Sequence, residues 1–488
     1  MAQDSRPLTP RRRFLTRQQT SALVHIADEY PMPSEGMGIG DAARLLYEGG
    51  RTVDDVDPEL YATYDVKRGL RNADGSGVLV GLTTISDVHG YRRVDGRVEP
   101  DEGDLRYRGY HVGDLVEASQ REGRFGYEEV AYLLLTGSLP TTDQLADFSA
   151  RIGSRRQLPE GYISIFPRAT YSHSIMNVLQ RATLLLYAFD ESADDTDPVH
   201  EVDVALSLLA RWPRVASIAH QAYVAHESGE RLVIPPARED FSMAETVLDV
   251  LRGPEGFSRE EAMLLDVMLM LHAEHGGGNN STFTCRVLSS SATDAYSAYA
   301  SALGSLKGPR HGGANAKAGL MVEDALAHIA DPSSDDQVAD YLARVLAGDA
   351  FDGRGLIYGI GHAVYTKSDP RAQVVKGYAR TMAARKGPEL AAQFELAEKI
   401  ERLAPEVMRD VRGITKPLCA NIDLYTGIVY RMLGIPDDLF TPIFAIARMA
   451  GWAAHRMEEI YGPARIIRPA YNSVFSDRTY VPIAERKA

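Results

Sequence analysis

Tyr358-Gly-Ile-Gly-His-Ala-Val-Tyr-Thr-Lys-Ser-Asp-Pro-Arg371 is the stretch around which the rest of the chain is organised. Two glycines, Gly359 and Gly361, precede one imidazole, His362. Glycine has no Cβ, so backbone there can approach a ligand closely. Pro370 pushes Asp369 out of helical geometry, so Asp369 ends a turn and Arg371 opens a new element. The stretch therefore reads as a loop with a proton donor at one end and an anion fork at the other. The plainer alternative is a glycine-rich turn with a surface His and Arg, since short motifs misfire often.

Two more histidine islands lie upstream. One is His272-Ala-Glu-His275, followed by Gly276-Gly-Gly-Asn-Asn-Ser281; the other is Gly308-Pro-Arg-His311-Gly-Gly-Ala-Asn315. Each sets a His beside glycine. Downstream, a helix over 421–433 places Asp423, Gly427 and Tyr430 on one face. The next apolar run, Leu439 to Ala454, reads as a buried helix, yet Arg448 stands in its middle. A buried unpaired guanidinium is costly, so Arg448 needs an anion, either an internal Asp or Glu or a substrate carboxylate. Zinc is the competing chemistry for the islands, but His272 and His275 are too close for the helical zinc-hydrolase spacing, with Glu274 between them and His311 as a third candidate. A phosphate cradle at Gly276–Ser281 lacks the P-loop Lys.

The whole chain sets wider bounds. Its 488 residues suffice for two or three domains, with 44% hydrophobic and 25% charged residues in the ordinary globular range. A net charge of −14 argues against a nucleic-acid partner, whose footprint is basic. Two cysteines, Cys285 and Cys419, make a Cys-rich metal site or a disulfide framework an unsuitable reading and favour a reducing compartment, the cytoplasm. Arg11-Arg-Arg-Phe-Leu15 resembles a twin-arginine export signal, but Thr16-Arg-Gln-Gln-Thr20 stands where an apolar segment is needed. Early acidic residues Asp4, Asp28 and Glu29 speak against a mitochondrial presequence, with the matrix left open. No window approaches the roughly 20 apolar residues of a membrane span.

Taken in order, residues 1–40 read as a loosely docked extension, and Asp41–Tyr47 as a short helix. Val78–Ile85 is β-rich, Tyr91–Val98 brackets an Asp95-Gly96 hairpin turn, and Leu105–Tyr110 offers a third short strand. From Val112 onward the periodicity is helical. Helices are predicted over Tyr127–Thr136, Ser172–Phe189, Val202–Leu209, Val215–His226, Met243–Leu251 and Arg259–His272. Ser333–Asp336 reads as a polar linker. The pattern gives a mostly α-helical protein with a small N-terminal β-hairpin region.

From about Thr83 to Arg468 the chain resembles the citrate synthase family, 2-methylcitrate synthases included. The likeness rests on Asp95-Gly96 with Tyr107-Arg-Gly-Tyr110, on Tyr132-Leu-Leu-Leu-Thr-Gly-Ser-Leu-Pro140, and on the three histidine islands. Asn421-Ile-Asp-Leu-Tyr-Thr-Gly-Ile428 and Phe444-Ala-Ile-Ala-Arg448 extend it. The resemblance implies condensation of acetyl-CoA with oxaloacetate and hydrolysis of the thioester, a step of the tricarboxylic acid cycle, with propionyl-CoA as the alternative substrate. More distant readings are a CoA-dependent citryl lyase and a metal-dependent hydrolase. By resemblance Asp423 takes the methyl proton, His311 hydrogen-bonds the thioester oxygen, and His362 polarises the ketone and protonates the alkoxide. Oxaloacetate would be held by His275, Arg371, Arg448 and Arg468, the last supplied across a homodimer. Gly359, Ile360 and Gly361 would line CoA. Many family members carry a basic residue where Thr366 stands; here the nearest charge is Lys367. No metal or redox cofactor is implied, and CoA is a substrate. The implied fold is two-domain: an extension over 1–75, a large helical domain of 76–315 plus 424–488, and a small mobile domain of 316–423. A carboxylate at a helix start is favoured by the dipole and so weakened as a base, so burial must offset this at Asp423.

Overall fold

The computed structural model describes residues 56–486 apart from Gly96, Thr170 and Ala464, together with Ala43, Arg44, Tyr47 and Glu48. The extension at 1–40, the arginine run within it, most of the helix expected at 41–47 and Gly96 of the hairpin turn lie outside the described residues. Ala43, Arg44 and Tyr47 of that helix are helical. The chain divides into two compact units, 1–73 with 471–488, and 74–470. In the first, α1 (Pro58–Thr63) is opened by Asp57, whose Oδ1 accepts from Glu59 N at 3.0 Å, with Pro58 at its first position.

The second unit carries every residue assigned to chemistry above. It opens with an antiparallel hairpin, β1 (Ser86–Val94) and β2 (Arg97–Tyr107), to which β3 (Tyr110–His111) adds a short edge in the order β1-β2-β3. The hairpin reverses where the Asp-Gly pair predicts it, with Asp95 at φ 50°. Two strand expectations need correction. Val78–Ile85 pairs with nothing in the sheet, and Leu79 and Leu82 are 82% and 89% exposed. Its composition suits a pleated surface, but a strand also needs a partner edge, and the register begins only at Ser86 opposite Tyr107. Leu105 pairs with Val88 inside β2, so the third strand is only Tyr110–His111.

The remainder is helical: α2 (Val112–Arg121), α3 (Tyr127–Thr136), α4 (Thr142–Ser154), α5 (Tyr162–Ala169), α6 (Ile175–Tyr187), α7 (Pro198–Ser228), α8 (Met243–Arg252) and α9 (Arg259–His272) come first. Then follow α10 (Asn280–Ser289), α11 (Ala295–Leu306), α12 (Ala314–His328), α13 (Asp335–Ala347), α14 (Pro370–Lys386), α15 (Pro388–Arg412), α16 (Asp423–Met432) and α17 (Phe440–Tyr461). Local chemistry sets many of these bounds. Gly137 ends α3 in the left-handed region at φ 86°, and a Ser258–Glu261 capping box opens α9. Ser334 caps α13, so Asp335 and Asp336 of the expected linker already form its first turn.

The helices expected at Val202–Leu209 and Val215–His226 are one. α7 runs through Pro213, which removes a helix hydrogen bond. Burial on both sides of the proline compensates: Trp212 meets Trp452 of α17 edge-on at 6.0 Å, and Arg214 donates to Pro235 O and Pro236 O at 2.7 and 3.1 Å. As expected, α17 is buried nearly all round. It forms the axis past which α9, α12 and α16 bring the functional side chains. α12 and α16 meet through glycine: a Cβ on Gly427 would lie 3.1 Å from Asn315 O and 3.5 Å from Gly319 Cα.

Candidate active site

The opening loop is strapped to the segment that leads into α16. Ile360 and Ala420 form an antiparallel bridge. Gly361 N donates to Cys419 O at 2.8 Å, Asn421 N to Gly359 O at 2.9 Å, and Asn421 Nδ2 to Gly361 O at 2.8 Å. Gly359 sits at φ 81°, and a Cβ there would lie 2.7 Å from Leu424 Cβ. Its missing side chain thus admits the first turn of α16. His362 and Asp423, sixty-one residues apart in sequence, are joined by this strap.

His362 is oriented by its own loop. Nδ1 accepts from Val364 N at 3.0 Å and Tyr365 N at 3.1 Å, so the neutral ring carries its proton on Nε2. The ring stacks on Tyr365 at 4.6 Å and meets the edge of His275 at 5.1 Å. Tyr365 OH in turn lies 3.1 Å from His275 Nε2. Burial, with Arg371, His362 and Arg448 adding to it, holds His275 well below the usual imidazole range, so it is neutral.

Asp369 and Pro370 behave as the sequence predicts: Asp369 caps α14 and Arg371 stands in its first turn. The pair is tighter than expected. Asp369 is fully buried and accepts Arg371 N and Nε on Oδ1, both at 3.0 Å, and Nη2 on Oδ2 at 2.8 Å. Oδ2 also accepts from Ile422 N at 3.1 Å, tying Arg371 to the approach of α16. One edge of this guanidinium is therefore already taken.

Arg448 differs. It is fully buried, its Nε donates to His272 O at 2.7 Å, and Nη1 and Nη2 have no hydrogen-bond partner among the described residues. The internal Asp or Glu bridge that its helix seemed to need is not made, because no described carboxylate reaches those nitrogens. Burial pushes its guanidinium down to about 10. Its Cζ lies 4.7 Å over Phe444, which also carries His272 at 4.5 Å. Both ring nitrogens of fully buried His272 lack partners among the described residues.

His311 and Asp423 complete the cluster. Nε2 of His311 lies 3.1 Å from Ser281 Oγ, and burial, with Arg448 nearby, pushes the imidazole down to about 4. Asp423 is part-buried at the first position of α16. Burial raises its carboxyl to about 6, against the pull of Arg371 and Arg448 and with the push of Asp369. The offset to the helix dipole is therefore present. The charge of Arg448 bears on His275, His311 and Asp423 alike.

Other expected residues stand apart. Arg468 is exposed on the segment after α17, and among the described residues no hydrogen bond or ion pair joins it to the cluster. Lys367 is exposed, while Thr366 donates to Gly90 O at 2.5 Å, which turns it towards the hairpin. Among the described residues, no group of three or more His, Cys, Asp or Glu is arranged to hold a metal ion. Sequence reasoning quoted Asp369, Tyr365, Ser281 and Asn421 without giving them roles. Pro370 after Asp369 was a signal for the cap, whereas the partner of Ser281 lies thirty residues away and had no local signal.

Comparison with known proteins agrees with this geometry. The family model for the citrate synthase C-terminal domain matches residues 73–470. The chain is 36% identical to 2-methylcitrate synthase 1 of Corynebacterium glutamicum over 86% of this chain and 98% of that one. It is 34% identical to the citrate synthase of Haloferax volcanii over 86% of this chain and 99% of that one. Among solved structures it is similar to Thermoplasma acidophilum citrate synthase in ternary complex with carboxymethyl coenzyme A and oxaloacetate. That similarity has a TM-score of 0.69 and 27% identity, and covers 86% of this chain and 99% of that one. By sequence and by fold, the chain belongs to the citrate synthase family of acyl-transferring enzymes.

Proposed function

We propose that the protein condenses acetyl-CoA with oxaloacetate and hydrolyses the resulting thioester, releasing citrate and CoA. The observation that carries this reading is Arg448, a fully buried cation whose Nη1 and Nη2 lack partners among the described residues; an oriented His362 and an Asp423 carboxyl raised to about 6 go with it. Such a cation calls for an anionic ligand. An oxaloacetate carboxylate takes the fork of Arg448, and Arg371 contributes the nitrogen that Asp369 leaves. His362, with its proton on Nε2, hydrogen-bonds the ketone oxygen, and His275 contacts the same molecule.

The acetyl methyl is a weak acid, so its proton is removed only as charge on the thioester oxygen is stabilised. Asp423 accepts the proton. His311, a neutral imidazole, donates its hydrogen bond to that oxygen from Nδ1–H, in the tautomer in which Ser281 Oγ donates to Nε2 and gives up Asn279 Oδ1. The enol carbon attacks the ketone carbon, and His362 protonates the alkoxide. Water then cleaves the thioester. No metal or redox cofactor takes part.

The same reading assigns CoA to Gly359, Ile360, Gly361 and Lys367. It makes 316–423 a small mobile domain that closes on the large one, 76–315 with 424–488, and leaves 1–75 as an extension. It places the enzyme in the cytoplasm and the tricarboxylic acid cycle as a homodimer in which the partner subunit's Arg468 completes the oxaloacetate site. The second reading, 2-methylcitrate formation from propionyl-CoA, has the support of a 2-methylcitrate synthase at 36% identity, level with a citrate synthase at 36%. One methylene is worth only about 1–3 kcal/mol of discrimination.

Release of free thiol from acetyl-CoA or propionyl-CoA, with and without oxaloacetate, tests the proposal. Oxaloacetate-dependent release, faster with acetyl-CoA, is expected. Faster release with propionyl-CoA selects the second reading, and none with either substrate overturns both.

A further inference from the structure

His275, His362 and Arg371, assigned to oxaloacetate, come from three different elements, and one side chain touches them all. Tyr365 stands three residues after His362 and is 2% exposed. Its ring stacks on the His362 imidazole at 4.6 Å with 24° between the planes, and its backbone N is one of the two donors to His362 Nδ1. The same ring meets His275 edge-on at 5.4 Å, and its hydroxyl lies 3.1 Å from His275 Nε2. Arg371 Cζ stands over the ring, 5.6 Å from its centroid and within cation–π range.

The hairpin fixes where Tyr365 stands. Gly90 of β1 is buried, and a Cβ there would lie 2.7 Å from Tyr365 Cα; a Cβ on Gly103 of β2 would lie 2.9 Å from Tyr365 Cδ1. A side chain at either position would push Tyr365 out of place, so two glycines on paired strands form its seat. The register of the pair shifts between His89 and Tyr91, where Gly90 stands. The residues after Tyr365 are pinned to the same strands. Thr366 Oγ1 donates to Gly90 O at 2.5 Å and lies 3.2 Å from Asp101 O. Gly103 N donates to Ser368 Oγ at 3.0 Å, and Ser368 Oγ donates to Glu102 Oε2 at 2.5 Å.

We propose that Tyr365 is a positioning residue for the oxaloacetate site: seated on Gly90 and Gly103, it orients His275 with its hydroxyl and His362 with the face of its ring. The two tasks fall on two parts of one side chain, so substitution separates them. The hydroxyl serves substrate binding, because His275 contacts oxaloacetate without exchanging a proton with it. The ring serves the chemical step, because His362 must aim Nε2 at the ketone oxygen and then protonate the alkoxide. Backbone donors set the tautomer of His362, and the stack on Tyr365 sets its plane. A residue that merely filled the space between the two histidines would not divide its effects in this way. The inference rests on the reading of His275 and His362 as groups that meet oxaloacetate.

Calorimetric titration with oxaloacetate and steady-state turnover, both on the full-length protein, test it. Tyr365→Phe keeps the ring and loses the hydroxyl. Its oxaloacetate affinity should fall about three- to tenfold, the share of one hydrogen bond, while kcat at saturating oxaloacetate stays within about twofold of wild type. Tyr365→Leu loses the ring as well, and its kcat should fall about 10–100-fold, the effect of a misaligned reacting group. Unchanged affinity in Tyr365→Phe would overturn the proposal, as would a kcat in Tyr365→Phe as low as that of Tyr365→Leu. If Tyr365→Leu does not fold, Tyr365→Phe decides: lowered affinity with a level kcat upholds the proposal, and any other pattern overturns it. No oxaloacetate binding to wild type would remove the reading of the site and this inference together. Binding to wild type, with the same affinity in Tyr365→Phe, would remove this inference alone.

Discussion

Asp423 is expected to set the acid limb of catalysis. Its carboxyl is raised to about 6 in the free enzyme, so the base form prevails above that value and kcat/KM should fall as pH drops through it. The pH profile of kcat/KM between pH 5 and pH 8 checks the sign; a limb near the ordinary carboxylate range would contradict it. Asp423→Asn and His362→Ala should each lower kcat by about 10²–10⁴-fold, the usual share of a positioned acid or base. Circular dichroism should show both variants folded. At this scale much was legible. His311, His362, Asp423 and Arg448 stood out because glycines or an apolar helix surrounded them. Asp369 did not, because its part comes from what it touches, Ile422 N among them. Glu274 is one residue from His275 in sequence, but its carboxylate is held by Ser86 and His455, which only the fold brings to it.

Elements matter through how their far ends are tied. Three site-bearing helices meet at Glu261, away from the pocket. It opens α9, which ends at His272; its Oε1 accepts from Lys386 Nζ at 2.6 Å at the end of α14, which begins beside Arg371. Arg252 Nη1 reaches Glu261 Oε1 at 3.0 Å and Leu433 O at 2.8 Å, past the end of α16, which begins at Asp423. Lys386→Met should destabilise the protein by about 1–3 kcal/mol, the range for a lost hydrogen bond to a buried charge, as read by urea unfolding. The Glu261 carboxyl is held at about 2 against an ordinary 4.5, so the stabilisation is complete above 4.5 and is lost as pH falls towards 2. Gly359→Ala should also be poorly tolerated, since it adds a Cβ at positive φ against Leu424. A loss of about 1–3 kcal/mol is expected, together with lowered kcat, because α16 must shift. Helices were legible from periodicity and caps, as α3 and α9 show. Val78–Ile85 and Pro213 misled because pairing and burial, which propensity does not encode, decided them.

For the whole molecule, the sequence indicated a helical body with a small hairpin, which the structure has, while a place for Arg468 between two copies came only with the family resemblance. Arg468 belongs to that scale: it is exposed and apart from the cluster within its own chain. If the partner subunit's Arg468 completes the site, Arg468→Ala and Asp423→Asn should be nearly inactive alone. Mixed, dissociated and reassembled, they should recover about a quarter of wild-type activity, because half of the dimers gain one intact site. No recovery would return Arg468 to the surface of its own chain. The most direct measurement is a crystal structure with oxaloacetate and an unreactive acetyl-CoA analogue. The account predicts a carboxylate on Arg448 Nη1 and Nη2, the ketone oxygen on His362 Nε2, and Asp423 facing the analogue's acyl carbon. Oxaloacetate bound elsewhere, with Arg448 still unpaired, would contradict it.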